Sequence, residues 1–123
     1  MQNQNSKYKN EIRERAYKYA IRMIKFLDGL KTDRTSNVII NQLTRSATSI
    51  GANLVEAKGA SSKRDFTNFV GHALKSANET LFWLGLLRDA KNIHNNELMY
   101  LLKETKELAN ILGSSFITLK NKR

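Results

Sequence analysis

Apolar residues recur at intervals of three and four positions along four long segments of this 123-residue chain. That spacing places them on one face of an α-helix, which repeats every 3.6 residues. The chain also lacks proline, the residue that breaks helix interiors. Its absence is improbable in a turn-rich β protein and natural in a helical one. The pattern therefore predicts an all-α protein.

Four helices are predicted to cover almost the whole chain. They span about residues 7–30, 36–58, 63–91 and 96–120. The caps predicted for the last three are Thr35 or Ser36, Ser62, and Asn95 or Asn96. Short connections between long helices favour antiparallel neighbours. We therefore predict a single domain over residues 1–123, folded as an antiparallel up-down-up-down four-helix bundle.

The first predicted helix has an apolar face and a basic face. The apolar face consists of Tyr8, Ile12, Ala16, Tyr19, Ala20, Met23, Ile24, Leu27 and Leu30. The basic face, called the basic arc below, consists of Arg15, Lys18, Arg22 and Lys25, spaced by three, four and three. Further cations can extend this arc: Lys7, Lys9 and Arg13 from the same helix, and Lys120, Lys122 and Arg123 from the tail.

The net charge favours a polyanionic partner. Twenty-one Lys and Arg face eleven Asp and Glu, giving a formal charge of +10. Such a charge favours RNA, DNA or anionic lipid, and we predict that the basic arc contacts nucleic-acid phosphates. No aromatic residues interleave with it, so backbone or shape recognition is expected. The alternative is a solvated face that keeps the protein soluble, with Glu11 and Glu14 available for local pairing.

Small and polar side chains form a second pattern on the second and third predicted helices. Ser46 and Ser49 begin a stripe on the second helix. The residues predicted to form a polar seam between the two helices are Ser49, Asn53, Glu56, Ser76 and Glu79. Buried polar groups are costly unless they are paired, and paired networks fix helix register. A structural role in aligning helices or subunits is one interpretation, and the lining of a groove or pore is the other.

The third predicted helix is apolar on nearly all sides between Leu81 and Leu87. In a monomeric bundle Phe82 and Leu86 would face water, and exposed apolar patches usually mark an interface. We therefore predict a homo-oligomer whose contact includes Phe82, Trp83 and Leu86. The alternative is that long helices cross at an angle, so that their ends bury a wider arc.

Nothing in the sequence indicates catalysis or a cofactor. There is no phosphate loop and no nucleophile elbow. The two histidines, His72 and His94, belong to no Glu-x-x-His pair of the kind that builds metal sites in bundles. We expect no enzyme activity, no metal and no cofactor. The chain has no cysteine, and neither a secretory signal nor a membrane span is recognisable, so a cytoplasmic protein is expected.

Two spaced motifs resemble a known family. They are Arg45-x-x-x-Ser49-Ile50-x-x-Asn53-Leu54-x-Glu56 and Ser62-x-x-Asp65-Phe66-x-x-Phe69-x-x-x-Ala73-x-x-Ser76-x-x-Glu79. They are similar to motifs of the bacterial four-helix-bundle proteins whose genes lie in intervening sequences of 23S ribosomal RNA genes, some of them labelled ribosomal-protein-like. The similarity extends from about Ile12 to Leu119. The family usually has Glu-Gly at the end of its second helix, where this chain has Glu56-Ala57.

The resemblance implies a bundle that assembles as a ring, with a pentamer suggested. It also implies kinship with the accessory proteins of diversity-generating retroelements, which form basic pentameric barrels that bind nucleic acid and a reverse transcriptase. Two functions are therefore expected from sequence. The first is a non-enzymatic basic homo-oligomer that binds RNA or DNA. The alternative is a protein-interaction adaptor, for example for a polymerase or reverse transcriptase, without intrinsic nucleic-acid specificity.

Overall fold

The computed structural model describes residues 4–122, and describes side chains from Glu11 onwards. Within that part the chain forms four helices and no strand. They are α1 (Gln4–Asp28), α2 (Arg34–Lys58), α3 (Lys63–Asp89) and α4 (Asn96–Asn121). The predicted all-α four-helix bundle is confirmed. Tyr8, Lys7, Lys9 and Arg123, named from sequence, lie outside the described side chains.

Side-chain caps define the starts of three helices. The Ser62 hydroxyl accepts the Asp65 N–H at 3.0 Å, and the Asn95 side chain accepts the Leu98 N–H at 2.8 Å. The prediction that Thr35 or Ser36 caps α2 is wrong, because Asp33 accepts the Ser36 N–H at 2.8 Å. The helix therefore begins earlier, and its first turn places Ser36 in the interior.

The core lies where the apolar faces of all four helices meet. Its largest fully buried apolar side chains are Met23, Leu43, Ile50, Leu84, Leu87, Leu98, Leu101 and Leu108. Each contributes roughly 1.5–3 kcal/mol by leaving water. Helix α3 packs closely on α2 and α4, whereas α1 packs mainly on α2 and touches α4 least. Helix α1 is therefore the helix most dependent on individual side-chain contacts.

Two glycines lie in contact with residues of a neighbouring helix. Gly51 lies against Ala16, where an added Cβ would sit 3.6 Å from the Ala16 Cβ. Gly71 lies under the Phe116 ring, where an added Cβ would come within 2.7 Å of a ring carbon. The first contact fixes α1 against α2, and the second fixes α3 against α4.

The predicted apolar face of α1 is wrong at Ile24. Ile12, Ala16, Tyr19, Met23 and Leu27 are buried, whereas Ile24 is 40% exposed. The buried residues occupy one narrow stripe, and Ile24 lies beyond its edge because α1 has few neighbours to cover it. No helix in the described residues is both long and apolar enough to cross a membrane.

Candidate nucleic-acid interface

Three residues of the basic arc, Arg15, Lys18 and Arg22, line an open groove between α1 and α4, about 550 Å³ in volume. Arg15 donates from Nε and Nη2 to the two carboxylate oxygens of Glu104, both at 2.7 Å. Glu104 is buried by its surroundings, and the hydrogen bonds from Arg15 lower its pKa. Glu107 accepts a longer contact of 3.4 Å from the same guanidinium. Arg15 thus joins α1 to α4.

Arg22 repeats this arrangement two turns later. Its Nε and Nη2 donate to the carboxylate of Glu97 at 2.7 and 2.9 Å. The guanidinium carbon also lies 3.5 Å from the centroid of the Tyr100 ring, a cation–π geometry. Bidentate pairing and stacking together hold the charge in one orientation.

The two lysines of the arc differ from the arginines. Lys18 lies 3.1 Å from Glu14, one turn earlier on α1, and both side chains are exposed. Lys25 is exposed near the end of α1. Three of the four arc residues therefore face carboxylates, which reduces the positive potential that this surface presents to a phosphate.

A group of exposed cations lies at one end of the bundle. The last turn of α2, the start of α3 and the last turn of α4 meet there, and the Lys63 ammonium donates to the Lys122 carbonyl at 3.2 Å. Residues 55–66 and 118–122 contain five exposed cations and only two carboxylates, Glu56 and Asp65. These cations, called the basic end below, are Lys58, Lys63, Arg64, Lys120 and Lys122.

The opposite end is nearly neutral by comparison. Residues 25–37 and 86–99 contain five cations and four carboxylates. Two of these cations are paired directly: Arg88 with Asp89 at 2.7 Å, and Lys91 with Asp33 at 3.1 Å. The electrostatic field of the protein is therefore asymmetric along the bundle axis.

The residues of the predicted polar seam lie in different environments. Glu79 accepts hydrogen bonds from Arg45 on α2 and, at 2.9 Å, from the Trp83 indole. Ser49 and Asn53 bond to backbone carbonyls of their own helix, and Glu56 is exposed. The Ser76 carbonyl accepts the Thr80 hydroxyl.

Two buried hydroxyl pairs bridge helices at other positions. Thr80 and Ser46 join α3 to α2, with their oxygens 2.8 Å apart. Tyr19 and Thr105 join α1 to α4 at 2.5 Å. The Thr105 hydroxyl also donates to the Leu101 carbonyl, so Tyr19 is the donor in its pair. Burial raises the pKa of Tyr19, which keeps the phenol protonated.

The predicted oligomer contact is partly exposed. Phe82 is 59% exposed, while Trp83 and Leu86 are half-buried against the core. The Phe82 and Trp83 rings meet edge to face, with centroids 5.0 Å apart. Their surface is apolar, and the indole N–H already has its acceptor in Glu79.

The described residues contain no cluster of three His, Asp or Glu side chains that could hold a metal ion. Both His72 and His94 are exposed.

Comparison with models of known protein families assigns the chain to one of them. A model described as 23S rRNA-intervening sequence protein matches residues 8–114. The chain belongs to the 23S rRNA-intervening sequence protein family. A comparison with curated proteins found no match.

A solved structure supports this family assignment. It is a protein of unknown function from the S23 ribosomal protein family of Bacteroides thetaiotaomicron VPI-5482, with 33% sequence identity. The match covers 88% of this chain and 96% of that one, with a TM-score of 0.80. The resemblance identified from the two spaced motifs is confirmed.

In this member of the 23S rRNA-intervening sequence protein family, sequence reasoning missed part of the basic end. Lys58, Lys63 and Arg64 were not assigned any role, although Lys120 and Lys122 were considered as an extension of the arc. Their position near the predicted helix termini could have indicated that they lie together. Up-down topology brings the end of α2, the start of α3 and the end of α4 together.

Proposed function

We propose that the protein is a non-enzymatic, self-associating helical bundle that binds the phosphate backbone of RNA or DNA at its basic end. The observation that carries this proposal is the asymmetric charge. Three cations of the basic arc face carboxylates, whereas five exposed cations gather at one end with two carboxylates. Closely spaced cations release counterions from a nucleic acid on binding, which is the main source of backbone affinity.

A charge-reversal experiment tests this site. The triple variant Lys58→Glu, Arg64→Glu, Lys122→Glu is compared with Lys31→Glu, Lys103→Glu, Lys106→Glu. All six positions are exposed, and each triple lowers the net charge by the same amount. Binding to a labelled ribosomal RNA fragment is followed by fluorescence anisotropy.

The first triple should weaken binding at least about tenfold more than the second, because it removes phosphate contacts as well as net charge. Equal weakening by both would show that only total charge matters, and would contradict a site at the basic end. The basic arc is tested separately by Lys18→Glu and Lys25→Glu, since substitution of Arg15 or Arg22 would also break helix contacts.

An adaptor for another protein is the second candidate. The observation that favours it is the exposed Phe82 beside Trp83, an apolar surface suited to a protein contact. Absence of nucleic-acid binding at low salt would leave the adaptor as the leading function. If Phe82→Asp leaves nucleic-acid binding unchanged, the apolar surface at Phe82 is not part of the nucleic-acid site.

A further inference from the structure

A cavity of about 300 Å³ opens at the basic end of the bundle, and residues from all four helices line it. Its floor is part of the apolar core: Leu54, Val70 and Leu112 are 5%, 4% and 2% exposed. Lys122, one of the five cations of the basic end, is among the lining residues. Pockets that hold small molecules begin at about this volume and are lined mainly by apolar side chains. The cavity is therefore large enough to take one small planar group.

The α3 wall of the cavity is aromatic. Phe66 lies in the first turn of α3, is half-buried and packs against the core. Lys63 and Arg64 precede it within the same turn. The Ser62 cap fixes that turn by accepting the Asp65 N–H. The ring and the two cations are thus held within about 5 Å of one another along the helix axis. Aromatic rings beside closely spaced cations bind unpaired nucleic-acid strands, because bases stack on the rings while the cations contact the backbone.

The α4 wall of the cavity is polar. Ser114, Ser115 and Thr118 line it, and Ser115 is half-buried. A hydroxyl both donates and accepts hydrogen bonds, and its hydrogen rotates to suit the partner. These three groups can therefore match the donor and acceptor edges of more than one base. A saturated acyl chain would cover them without offering any hydrogen bond, which is unfavourable. This wall favours a base over a lipid tail.

Cations surround the mouth of the cavity, whereas its floor is uncharged. The Lys63 ammonium donates to the Lys122 carbonyl at 3.2 Å, which brings the cations of α3 beside the end of α4. Lys58 follows Ala57, another lining residue, at the end of α2. A nucleotide within a strand has the same division, with an uncharged base and a charged phosphate on either side. The cavity and its mouth are therefore complementary to it in charge.

We propose that this cavity takes one unpaired base of the nucleic acid whose backbone the basic end binds, with the base against Phe66. The inference rests on the proposed function and adds the class of nucleic acid, which is a strand with unpaired bases. A base inside a continuous duplex must first be unstacked and unpaired, at a cost in free energy. The protein therefore prefers single strands, loops and bulges to continuous duplexes. Rotating hydroxyls accept different bases, so the site reads little sequence.

The experiment compares an oligothymidylate with an abasic deoxyribose-phosphate oligomer of the same length, both followed by fluorescence anisotropy. The two ligands carry the same phosphates and differ only in their bases. The wild type should bind the oligothymidylate at least about tenfold more tightly, because it gains contact with a base. That ratio should persist as salt is raised, although both affinities fall, because salt acts on the backbone contacts that the two ligands share.

Two variants test whether the preference arises in this cavity. Phe66→Leu removes the ring but keeps an apolar side chain, and Ser115→Leu fills the cavity; neither changes the net charge. Each should bring the affinity ratio close to one while leaving the affinity for the abasic oligomer unchanged. Phe26→Leu is the matched control and should keep the full ratio, because Phe26 is also half-buried against the core but lies at the opposite end of the bundle. Helical circular dichroism confirms that each variant is folded.

The outcomes separate this inference from the proposed function. Equal binding of the two ligands by the wild type would contradict base insertion and leave backbone binding intact. A preference that persists in both cavity variants would place the base contacts elsewhere and contradict this site. Binding of dodecanoate that Ser115→Leu abolishes, together with equal binding of the two oligomers, would assign the cavity to an acyl chain instead. Failure of both oligomers to bind at low salt would contradict the proposed function, and this inference with it.

Discussion

Arg15 and Glu104 join α1 to α4 through two hydrogen bonds of 2.7 Å, across 89 positions of sequence. Their side chains are 37% and 11% exposed, so the pair is more shielded from solvent than an ordinary surface ion pair. Because α1 and α4 share few other contacts, this pair helps to hold α1 against α4, together with Arg22–Glu97 and Tyr19–Thr105. It also removes one cation from the surface available to a polyanion.

The Arg15–Glu104 pair should make a measurable contribution to stability. Glu104→Gln should lower the free energy of unfolding by about 1–2 kcal/mol, since charge-assisted hydrogen bonds to Arg15 are lost. Glu107→Gln is the matched control and should change it by less than about 0.5 kcal/mol, because that longer contact is exposed. Urea unfolding measures both. Equal effects would contradict the assigned role of Glu104.

Stability should fall as the pH drops below about 4. Hydrogen bonds first from the Ser36 backbone and side chain, and then from Lys91, lower the pKa of Asp33 to about 2, from an ordinary value of 3.8. Arg15 and Arg22 likewise lower the pKa of Glu104 and Glu97. A lowered folded-state pKa contributes stability above the unfolded value and loses it as pH falls through the folded value.

Thermal melts between pH 7 and pH 2 measure this dependence. Asp33→Asn should flatten the part of the curve between about pH 4 and pH 2, because asparagine caps a helix without titrating. A midpoint that stays constant across that range in the wild type would show that these carboxylates are not stabilised by folding.

The buried Tyr19–Thr105 pair should show strong coupling. Tyr19→Phe should cost about 1 kcal/mol, because Thr105 keeps its own acceptor in the Leu101 carbonyl. Thr105→Val should cost about 1–3 kcal/mol, since it leaves the Tyr19 hydroxyl buried without an acceptor. The double variant should be nearly as stable as Tyr19→Phe alone. Additive costs in a double-mutant cycle would rule out the direct bond.

Two glycines should respond oppositely to alanine. Gly85 has no atom within 4 Å of an added Cβ, so Gly85→Ala should stabilise α3 by up to about 1 kcal/mol. Gly71→Ala would place its Cβ under the Phe116 ring and should destabilise the protein by about 1–2 kcal/mol. Chemical denaturation gives both values. If Phe116→Leu does not reduce the loss of stability caused by Gly71→Ala, the Phe116 ring is not the cause of that loss.

Helical periodicity was sufficient to predict the four helices and most of their buried faces. It was not sufficient at Ile24, because spacing defines a face but not how much of that face a neighbouring helix covers. The cap of α2 was misassigned for a related reason. Asp33, Thr35 and Ser36 all have suitable side chains, and only the backbone geometry selects Asp33.

The features of the candidate site that the sequence did not predict are contacts between residues far apart in the chain. The spacing of Arg15 and Arg22 predicts a common surface, but their partners Glu104 and Glu97 lie on a distant helix. The axial register of α1 against α4 determines which carboxylates the two arginines contact. The same holds for Lys58, Lys63 and Arg64, whose clustering with Lys122 follows from helix topology.

Binding of a nucleic-acid backbone by this protein can be tested on the wild type, by measuring its affinity across a salt series. A structured ribosomal RNA fragment and an unrelated duplex serve as ligands, followed by fluorescence anisotropy. We expect binding to both at low salt, and a plot of log affinity against log salt concentration with a slope steeper than about −3, because several phosphates are contacted. No binding at low salt, or an affinity independent of salt, would contradict it.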